Sequence, residues 1–152
     1  SLIGLKKRLN ANGLGYLETI ESDYNNSLKI GNNINIGKKY TFIVHGIHNI
    51  IIENKDIVWV YSIKTTHRTN GIKTGISYTA RFFDINKKSY KVAIPNDEKS
   101  TELLNAYFKL TDTIVLGFDK KYLNMIKKDF EGFLNIAYRN HTYGGKEQDT
   151  YL

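Results

Sequence analysis

Two histidines in the segment HGIH, His45 and His48, are the first candidates for chemistry, because imidazole nitrogens are common zinc ligands. Glu53 is a conceivable third ligand from the same part of the chain. A glycine turn separates the two histidines, so they share no helical face, and no further histidine is close in the sequence. We interpret them as turn or cap residues. We therefore expect no metal site and no cofactor.

The segment GNNINIGKKY has glycines and lysines in an order close to that of a phosphate-binding loop. Such a loop wraps phosphates with backbone N–H groups and a lysine, and a following Ser or Thr binds magnesium. Here one residue too many separates Gly31 from Gly37, and Lys39 stands where the Ser or Thr should be. Residues 71–75, GIKTG, have the wrong order for this loop. Neither segment predicts nucleotide binding.

His67, beside Arg68, is a candidate for general acid–base catalysis, since histidine titrates near neutral pH. No carboxylate or nucleophile lies close to it in the sequence. We predict no catalytic residue in this chain and interpret His67 as a binding residue.

The formal net charge of +7 is concentrated in the middle of the chain. Residues 57–96 carry seven basic side chains and one acidic side chain, whereas the segments before and after them are close to balanced. Clustered charge of one sign sets up a local potential that attracts anions. The alternative is that these residues form solvated strand faces. The residues expected to bind an anionic partner are Lys64, His67, Arg68 and Lys73, with Arg81 on the adjoining strand.

Length and composition indicate one globular domain. The chain has 152 residues, of which 41% are hydrophobic and 24% charged, enough to bury a core. Cysteine is absent, which excludes disulfides and thiolate metal sites. The chain has no run of about eighteen apolar residues, the length that a membrane-spanning helix needs. We expect a cytoplasmic location, with membrane association if an anchor precedes Ser1.

Helical patterns are expected at both ends of the chain. Residues 1–27 are predicted to form an N-terminal arm of two short amphipathic helices broken near Gly13. Residues 28–139 form the predicted main domain, and residues 140–152 have no periodicity and are expected to be a flexible tail. Asn96 and Asp119 are predicted N-caps of the later helices. The last helix is expected to present one buried stripe from Leu123 to Ala137.

A period of two between residues 28 and 94 predicts antiparallel strands with frequent turns. Asn70 and Gly71 form a strong turn signal, because both residue types accept positive φ. The segment KTTHRTNGIKTG, residues 64–75, is therefore predicted to be the tip of a long hairpin. In the strand before it, Ile57, Trp59, Tyr61 and Ile63 are expected to share one face. The other face begins apolar and ends polar at Lys64, which predicts a strand that is buried at its start and emerges into solvent near residue 64.

Four segments together resemble an uncharacterised bacterial family of unknown function, whose arrangement is similar to that of pleckstrin-homology-like (PH-like) domains. They are IGKKYTF, IVWVYSIKTTHRTNGIKTGISYT, PND and GFDKKYLNMIKKDFEGFLN. The resemblance covers residues 2–138. It implies an α+β fold: a PH-like curved antiparallel sheet or roll with two N-terminal helices, one inserted helix and a C-terminal helix. It implies no activity, catalytic residue or cofactor, and the extra helix and strand at residues 97–117 depart from the ordinary PH pattern.

Three hypotheses about function follow. The favoured one is a non-enzymatic PH-like interaction module that docks on an acidic protein surface or on anionic lipid through the basic hairpin tip. The second is nucleic-acid binding, which requires Tyr78 and Phe82 to be exposed beside the lysines. The third is an enzyme of unrecognised type, which a polar pocket with histidine and carboxylate side chains would support.

Overall fold

The computed structural model describes the backbone of residues 14–139 and 142–143 and the side chains of residues 16–139. The first of the two predicted N-terminal helices lies outside these residues, as does most of the predicted tail. The helices are α1 (Leu14–Asn25), α2 (Asp97–Leu110), α3 (Lys120–Lys128) and α4 (Phe130–Ala137). The strands are β1 (Leu28–Ile30), β2 (Ile34–Ile36), β3 (Tyr40–His45), β4 (His48–Glu53), β5 (Ile57–Thr69), β6 (Ile72–Asp84), β7 (Ser89–Ile94), β8 (Val115–Leu116) and β9 (Thr142–Tyr143).

The strands form two sheets, which confirms the α+β class. The first sheet is four-stranded, in the order β1-β2-β3-β4, and is antiparallel throughout. The second is five-stranded, in the order β7-β6-β5-β8-β9, and is antiparallel from β5 to β7 but parallel at β8 and β9. Residues 142–143 belong to the segment predicted to be a flexible tail, and their backbone pairs with β8.

Strand β5 is buried from Ile57 to Ser62 and exposed from Lys64 onward, as predicted, but its buried side chains do not alternate strictly between the two faces. A register shift between Ile57 and Trp59 marks a β-bulge, and a bulge moves the following side chains to the other face. Ile57 therefore packs with Val60 in one core, whereas Trp59 and Tyr61 pack in another. The prediction that Ile57 shares a face with Trp59 is wrong for this reason.

Three apolar clusters hold the described fold together. The first joins both sheets to α2, and Tyr107 of that helix is fully buried in it. The second covers the opposite face of β5 and β6 with α3 and α4, around Trp59. The third packs Ile20 of α1 on Tyr40 and Phe42 of β3. Each sheet thus buries apolar surface against a helix. Such burial stabilises the fold by about 25 cal/mol per Å² of apolar surface removed from water.

The expected C-terminal helix is interrupted, so that α3 and α4 are separate. Asp129 has φ −152° and ψ 68°, outside the helical region, and its carboxylate accepts a hydrogen bond from the Gly132 N–H at 3.1 Å. Asn96 and Asp119 cap α2 and α3 as predicted, accepting from the Lys99 and Lys121 N–H groups at 2.9 and 3.0 Å. Among the described residues, no helix has the length and apolar character needed to cross a membrane.

Candidate functional site

Residues 64–77, named here the basic ribbon, form the outer half of the β5–β6 hairpin. Strand β7 pairs with β6 only as far as Tyr78, and β8 pairs with β5 only at Trp59 and Val60. Within the described chain, the strands of the basic ribbon therefore pair only with each other. Its side chains are exposed on both faces, with Gly75 half-buried. The basic ribbon is a two-stranded projection from the second sheet.

The turn at the end of the basic ribbon has the predicted geometry. Asn70 has φ 54° and Gly71 has φ 81°, both in the left-handed region that a two-residue type I′ hairpin turn requires. Four threonines, whose β-branched side chains favour strands, lie in the rest of the ribbon. Local sequence therefore specifies this hairpin without help from a core.

The strand register divides the ribbon's side chains between two faces. Lys64 lies opposite Tyr78, and Tyr78 packs against the core shared by the two sheets. The register shifts between His67 and Arg68, where Thr74 of β6 is the extra residue. Alternation along β5 is therefore unbroken, so Arg68 lies on the same face as Lys64, with Lys73 opposite Arg68. These three cations form what we call the cationic face.

Arg68 and Lys73 carry unopposed charge. They are direct cross-strand partners, and both are exposed. The ion pairs within 4.0 Å in the described chain are Lys55–Glu53 and Lys99–Glu102, so no described carboxylate pairs with Arg68 or Lys73. The positive potential of the cationic face is therefore open to a ligand.

The other two predicted site residues lie elsewhere. His67 is on the opposite face, with its Nε2 atom 2.8 Å from the Ser77 hydroxyl. Arg81 pairs with Tyr61, seven residues along β5 from Arg68, a separation of about 23 Å at about 3.3 Å per residue. The structure thus brings together Lys64, Arg68 and Lys73 and leaves His67 and Arg81 outside the cationic face.

Sequence reasoning missed the apolar residue at the end of the ribbon. Ile72 directly follows the turn and is 70% exposed, and Ile76 on the same strand is also exposed. A large apolar side chain beside an Asn-Gly turn was the available signal, since turns are ordinarily polar. Ile76 pairs with Thr66, between Lys64 and Arg68, and so lies on the cationic face, whereas Ile72 pairs with Thr69 and lies on the other face at the apex. Exposed isoleucines close to cations combine the two properties that an interfacial membrane contact uses.

A second exposed isoleucine, Ile47, lies in the β3–β4 turn and is 92% exposed. The end of β3 is hydrogen-bonded to the β1–β2 turn. In that turn, a Cβ atom on Gly31 would lie 2.8 Å from Cδ of Pro95. Pro95 follows Ile94, the partner of Tyr78. The β3–β4 turn is therefore at the end of the fold from which the basic ribbon projects.

The possible metal ligands are not brought together. His45 and His48 are cross-strand partners at one end of the β3–β4 hairpin, whereas Glu53 pairs with Tyr40 at the other end. Five residues of strand separate Glu53 from His48, about 16 Å. Among the described residues, no group of three or more His, Cys, Asp or Glu side chains could hold a metal ion.

The loop GKKY binds a carboxylate of the protein itself. Asp23 of α1 accepts hydrogen bonds from the N–H groups of Lys38 at 2.8 Å, Lys39 at 3.1 Å and Tyr40 at 2.9 Å. Successive N–H groups that converge in this way form an anion-binding nest. The nest is filled by Asp23 and fastens α1 to the first sheet.

The aromatic side chains of the positive segment are not available for base stacking as the nucleic-acid hypothesis requires. Phe82 is fully buried in the core shared by the sheets, and Tyr78 is half-buried against it. Stacking of bases needs exposed rings beside the cations. Neither of the two rings that this hypothesis requires is therefore fully exposed.

Comparison with protein families gives one match, over residues 3–126, to a family described as a domain of unknown function, DUF6709. The chain belongs to the DUF6709 family. The match includes the basic ribbon and ends within α3, so the DUF6709 region holds all three residues of the cationic face. Comparison of this DUF6709 chain with curated proteins and with solved structures finds no match.

Proposed function

We propose that this DUF6709 domain is a non-enzymatic, PH-like interaction module that docks on an anionic membrane surface through the basic ribbon. The observation that carries the proposal is the pairing of Arg68 with Lys73, exposed and without a described carboxylate partner, beside the exposed Ile72. A cationic face with an apolar apex suits lipid headgroups above an acyl region.

The PH-like assignment is supported by the architecture of the described chain. Two mainly antiparallel sheets enclose one apolar core, and α2 closes that core with Leu103 and Tyr107. The sheets leave hairpin turns at one end, including those that carry Ile47 and Ile72. Loops and turns on a rigid framework are common positions for binding residues.

The expected affinity of this docking is low, and the docking is reversible. A basic residue near an anionic bilayer contributes about 1 kcal/mol, so Lys64, Arg68 and Lys73 together contribute about 3 kcal/mol. Full burial of an isoleucine side chain contributes about 2 kcal/mol. A sum of about 5 kcal/mol corresponds to weak binding, in the sub-millimolar range. Binding at low salt is therefore the condition to test first, since salt screens exposed charges.

The test is co-sedimentation with phosphatidylcholine vesicles prepared with and without phosphatidylserine. The wild-type domain should sediment with the anionic vesicles at low salt, and the Arg68→Glu/Lys73→Glu variant should lose about tenfold or more in affinity. The matched control is Lys120→Glu/Lys121→Glu, the same change in net charge at two exposed residues of α3. This control should bind like the wild type.

Three other outcomes would contradict the proposal. Equal loss in both double variants would show that net charge alone, rather than the basic ribbon, drives binding. No effect of charge reversal in the ribbon would remove the cationic face from the docking surface. Absence of sedimentation with anionic vesicles at low salt would exclude a membrane as the partner.

A further inference from the structure

Arg81 occupies an unusual position on the face of the second sheet opposite the cationic face. Its guanidinium carbon lies 4.7 Å from the centroid of the Phe83 ring. Nη1 is 3.3 Å from the Tyr61 hydroxyl and Nη2 is 3.4 Å from the Ser89 hydroxyl. Both distances are longer than the usual 2.7–3.2 Å range, roughly, for such bonds. The Nε atom is buried and has no hydrogen-bond partner.

The charge of Arg81 has no counter-ion in the described chain. The side chain is half-buried. Among the described residues, the basic side chains with a carboxylate within 4.0 Å are Lys55 and Lys99, and Arg81 is not one of them. The nearest acidic residue along β6 is Asp84, whose Oδ1 atom accepts from the Asn86 and Lys88 N–H groups at 2.8 and 2.9 Å. Charged side chains are seldom withdrawn from water without a partner.

The neighbours of Arg81 add positive charge and donors. Lys91 of β7 is its direct cross-strand partner and is exposed, so the two side chains lie on one face of the sheet. Burial raises the pKa of Tyr61, against the opposing effect of Arg81. The phenol therefore remains neutral at neutral pH and leaves the charge of Arg81 uncompensated.

We infer that Arg81 and Lys91, with the Ser89 hydroxyl, form a binding site for a phosphate group. A guanidinium fork matches two oxygens of a phosphate, and a lysine beside it supplies a second charge. Phe83 and Tyr61 hold the fork from behind, so little side-chain freedom is lost on binding. Lys91 and Ser89 are exposed, which leaves the site open to solvent. The site is separate from Arg68 and Lys73, since about 23 Å of strand lies between Tyr61, the partner of Arg81, and Arg68.

The first experiment titrates inorganic phosphate into the ¹⁵N-labelled domain, with sodium chloride of equal ionic strength as the parallel arm. The Arg81 Nε–H resonance, assigned by its loss in Arg81→Lys, should shift with phosphate and not with chloride. Arg81→Lys keeps the charge and removes the fork, so phosphate affinity should fall about tenfold, the value of one charge-assisted hydrogen bond. Lys91→Gln, a change at an exposed residue, should also weaken binding.

The control is Arg139→Gln, which removes an exposed arginine that follows α4 and should leave phosphate affinity unchanged. Thermal unfolding of every variant separates loss of binding from loss of fold. If phosphate shifts the Arg81 resonance no more than chloride does, the site does not exist. Equal weakening by Arg139→Gln would likewise overturn it.

A second experiment distinguishes a free phosphate ligand from a lipid headgroup that ends in a phosphate. Vesicles that contain phosphatidic acid are compared with vesicles that contain phosphatidylserine. If the natural ligand is the lipid headgroup, Arg81→Lys weakens sedimentation with phosphatidic acid only. If binding is confined to soluble phosphate, Arg81→Lys leaves both unchanged while still losing inorganic phosphate. Either result supports the phosphate site, and neither depends on membrane docking by Arg68 and Lys73.

Discussion

Arg68 and Lys73 lie directly opposite each other across the β5–β6 hairpin, so two positive charges face one another where the sheet is only two strands wide. Like charges in this relationship destabilise a strand pair, by an amount comparable to the 0.2–1 kcal/mol, roughly, that favourable pairs contribute. The two-residue Asn70–Gly71 turn sets Thr69 opposite Ile72 and Arg68 opposite Lys73, and the register shift comes only after this pair, so the two side chains remain opposite each other. Local rules that a sequence breaks without structural gain commonly mark functional positions.

The first prediction is that Lys73→Glu stabilises the domain and weakens its binding to anionic vesicles. The substitution replaces a repulsive cross-strand pair by an attractive one, and the free energy of unfolding should rise by about 0.5–1 kcal/mol. Urea denaturation at low salt measures the change. Lys29→Glu, at an exposed strand position whose cross-strand partner Asn35 is uncharged, serves as the control and should change neither property in this way. A loss of stability in Lys73→Glu would contradict the repulsion.

The second prediction concerns Ile72 at the apex of the basic ribbon, whose side chain is 70% exposed. Ile72→Ser removes most of the apolar side chain without burying or releasing any polar group of the fold. Stability should stay within about 0.5 kcal/mol of the wild type, as for ordinary surface changes. Sedimentation with phosphatidylserine vesicles should fall about tenfold.

Phe108 provides a matched control for Ile72. Phe108 on α2 is another exposed, large apolar residue, and Phe108→Ser tests whether general surface hydrophobicity drives sedimentation. It should leave vesicle binding unchanged. Equal weakening by both substitutions would contradict a specific role for the apex.

The hairpin was predictable from the sequence, because its causes are local. Asn70 and Gly71 alone select the turn type, and the threonines and cations between Lys64 and Lys73 favour exposed strands. The strand register also separates Arg81 from Arg68. Arg81 pairs with Tyr61, and Tyr61 is seven residues from Arg68 along the extended strand β5. Charge alone groups Arg81 with Arg68, whereas the face on which each side chain lies follows from the register of the strands.

Other features depend on partners that are distant in the chain. The bulge between Ile57 and Trp59 changes which residues share a face, and strict alternation cannot show where an extra residue is inserted. The GKKY loop has some features of a phosphate-binding loop, but its N–H groups bind the carboxylate of Asp23. Asp23 is fifteen residues before Lys38, and the sequence of the loop alone does not indicate this contact. The interruption at Asp129 was hidden because its neighbours on both sides keep helical spacing.

The third prediction is that Asp23 and Gly37 are energetically coupled. A Cβ atom on Gly37 would lie 2.0 Å from the nearer oxygen of the Asp23 carboxylate, so Gly37→Ala must displace that carboxylate from the three N–H groups it accepts from. Asp23→Ala should cost about 2–3 kcal/mol, the range for hydrogen bonds to a charged group. Gly37→Ala should cost a similar amount.

A double-mutant cycle tests this coupling. Once Asp23→Ala has removed the carboxylate, Gly37→Ala has little left to displace, so the double variant should be only slightly less stable than either single variant. Glu18→Ala, at an exposed position of α1, is the control for losing an acid from the same helix and should cost less than about 0.5 kcal/mol. Fully additive effects of Asp23→Ala and Gly37→Ala would show that the steric contact has no energetic weight.

The fourth prediction concerns the buried polar contacts of Tyr107. Thr41 Oγ1 is 2.5 Å from the Tyr107 hydroxyl and donates to Asn54 Oδ1 at 2.6 Å, so the tyrosine hydroxyl is the donor in the first contact. Tyr107→Phe removes that bond and leaves the Thr41–Asn54 bond in place. At neutral pH the variant should therefore be about 1 kcal/mol less stable than the wild type.

Alkaline pH should reverse the order of stability. Burial raises the pKa of Tyr107 well above its ordinary value of 10.0, and the hydrogen bond with Thr41 only partly opposes this. Above pH 10.0 the unfolded chain releases the Tyr107 proton, whereas the folded chain retains it because its pKa is higher. Wild-type stability therefore falls by up to about 1.4 kcal/mol per pH unit. Tyr107→Phe lacks this loss, and the raised pKa values of Tyr61 and Tyr122 affect both proteins equally. Urea denaturation of both proteins at neutral pH and about one pH unit above 10.0 measures the difference in stability. If this difference did not change with pH, the folded protein would release the Tyr107 proton as readily as the unfolded chain does, which would contradict the prediction.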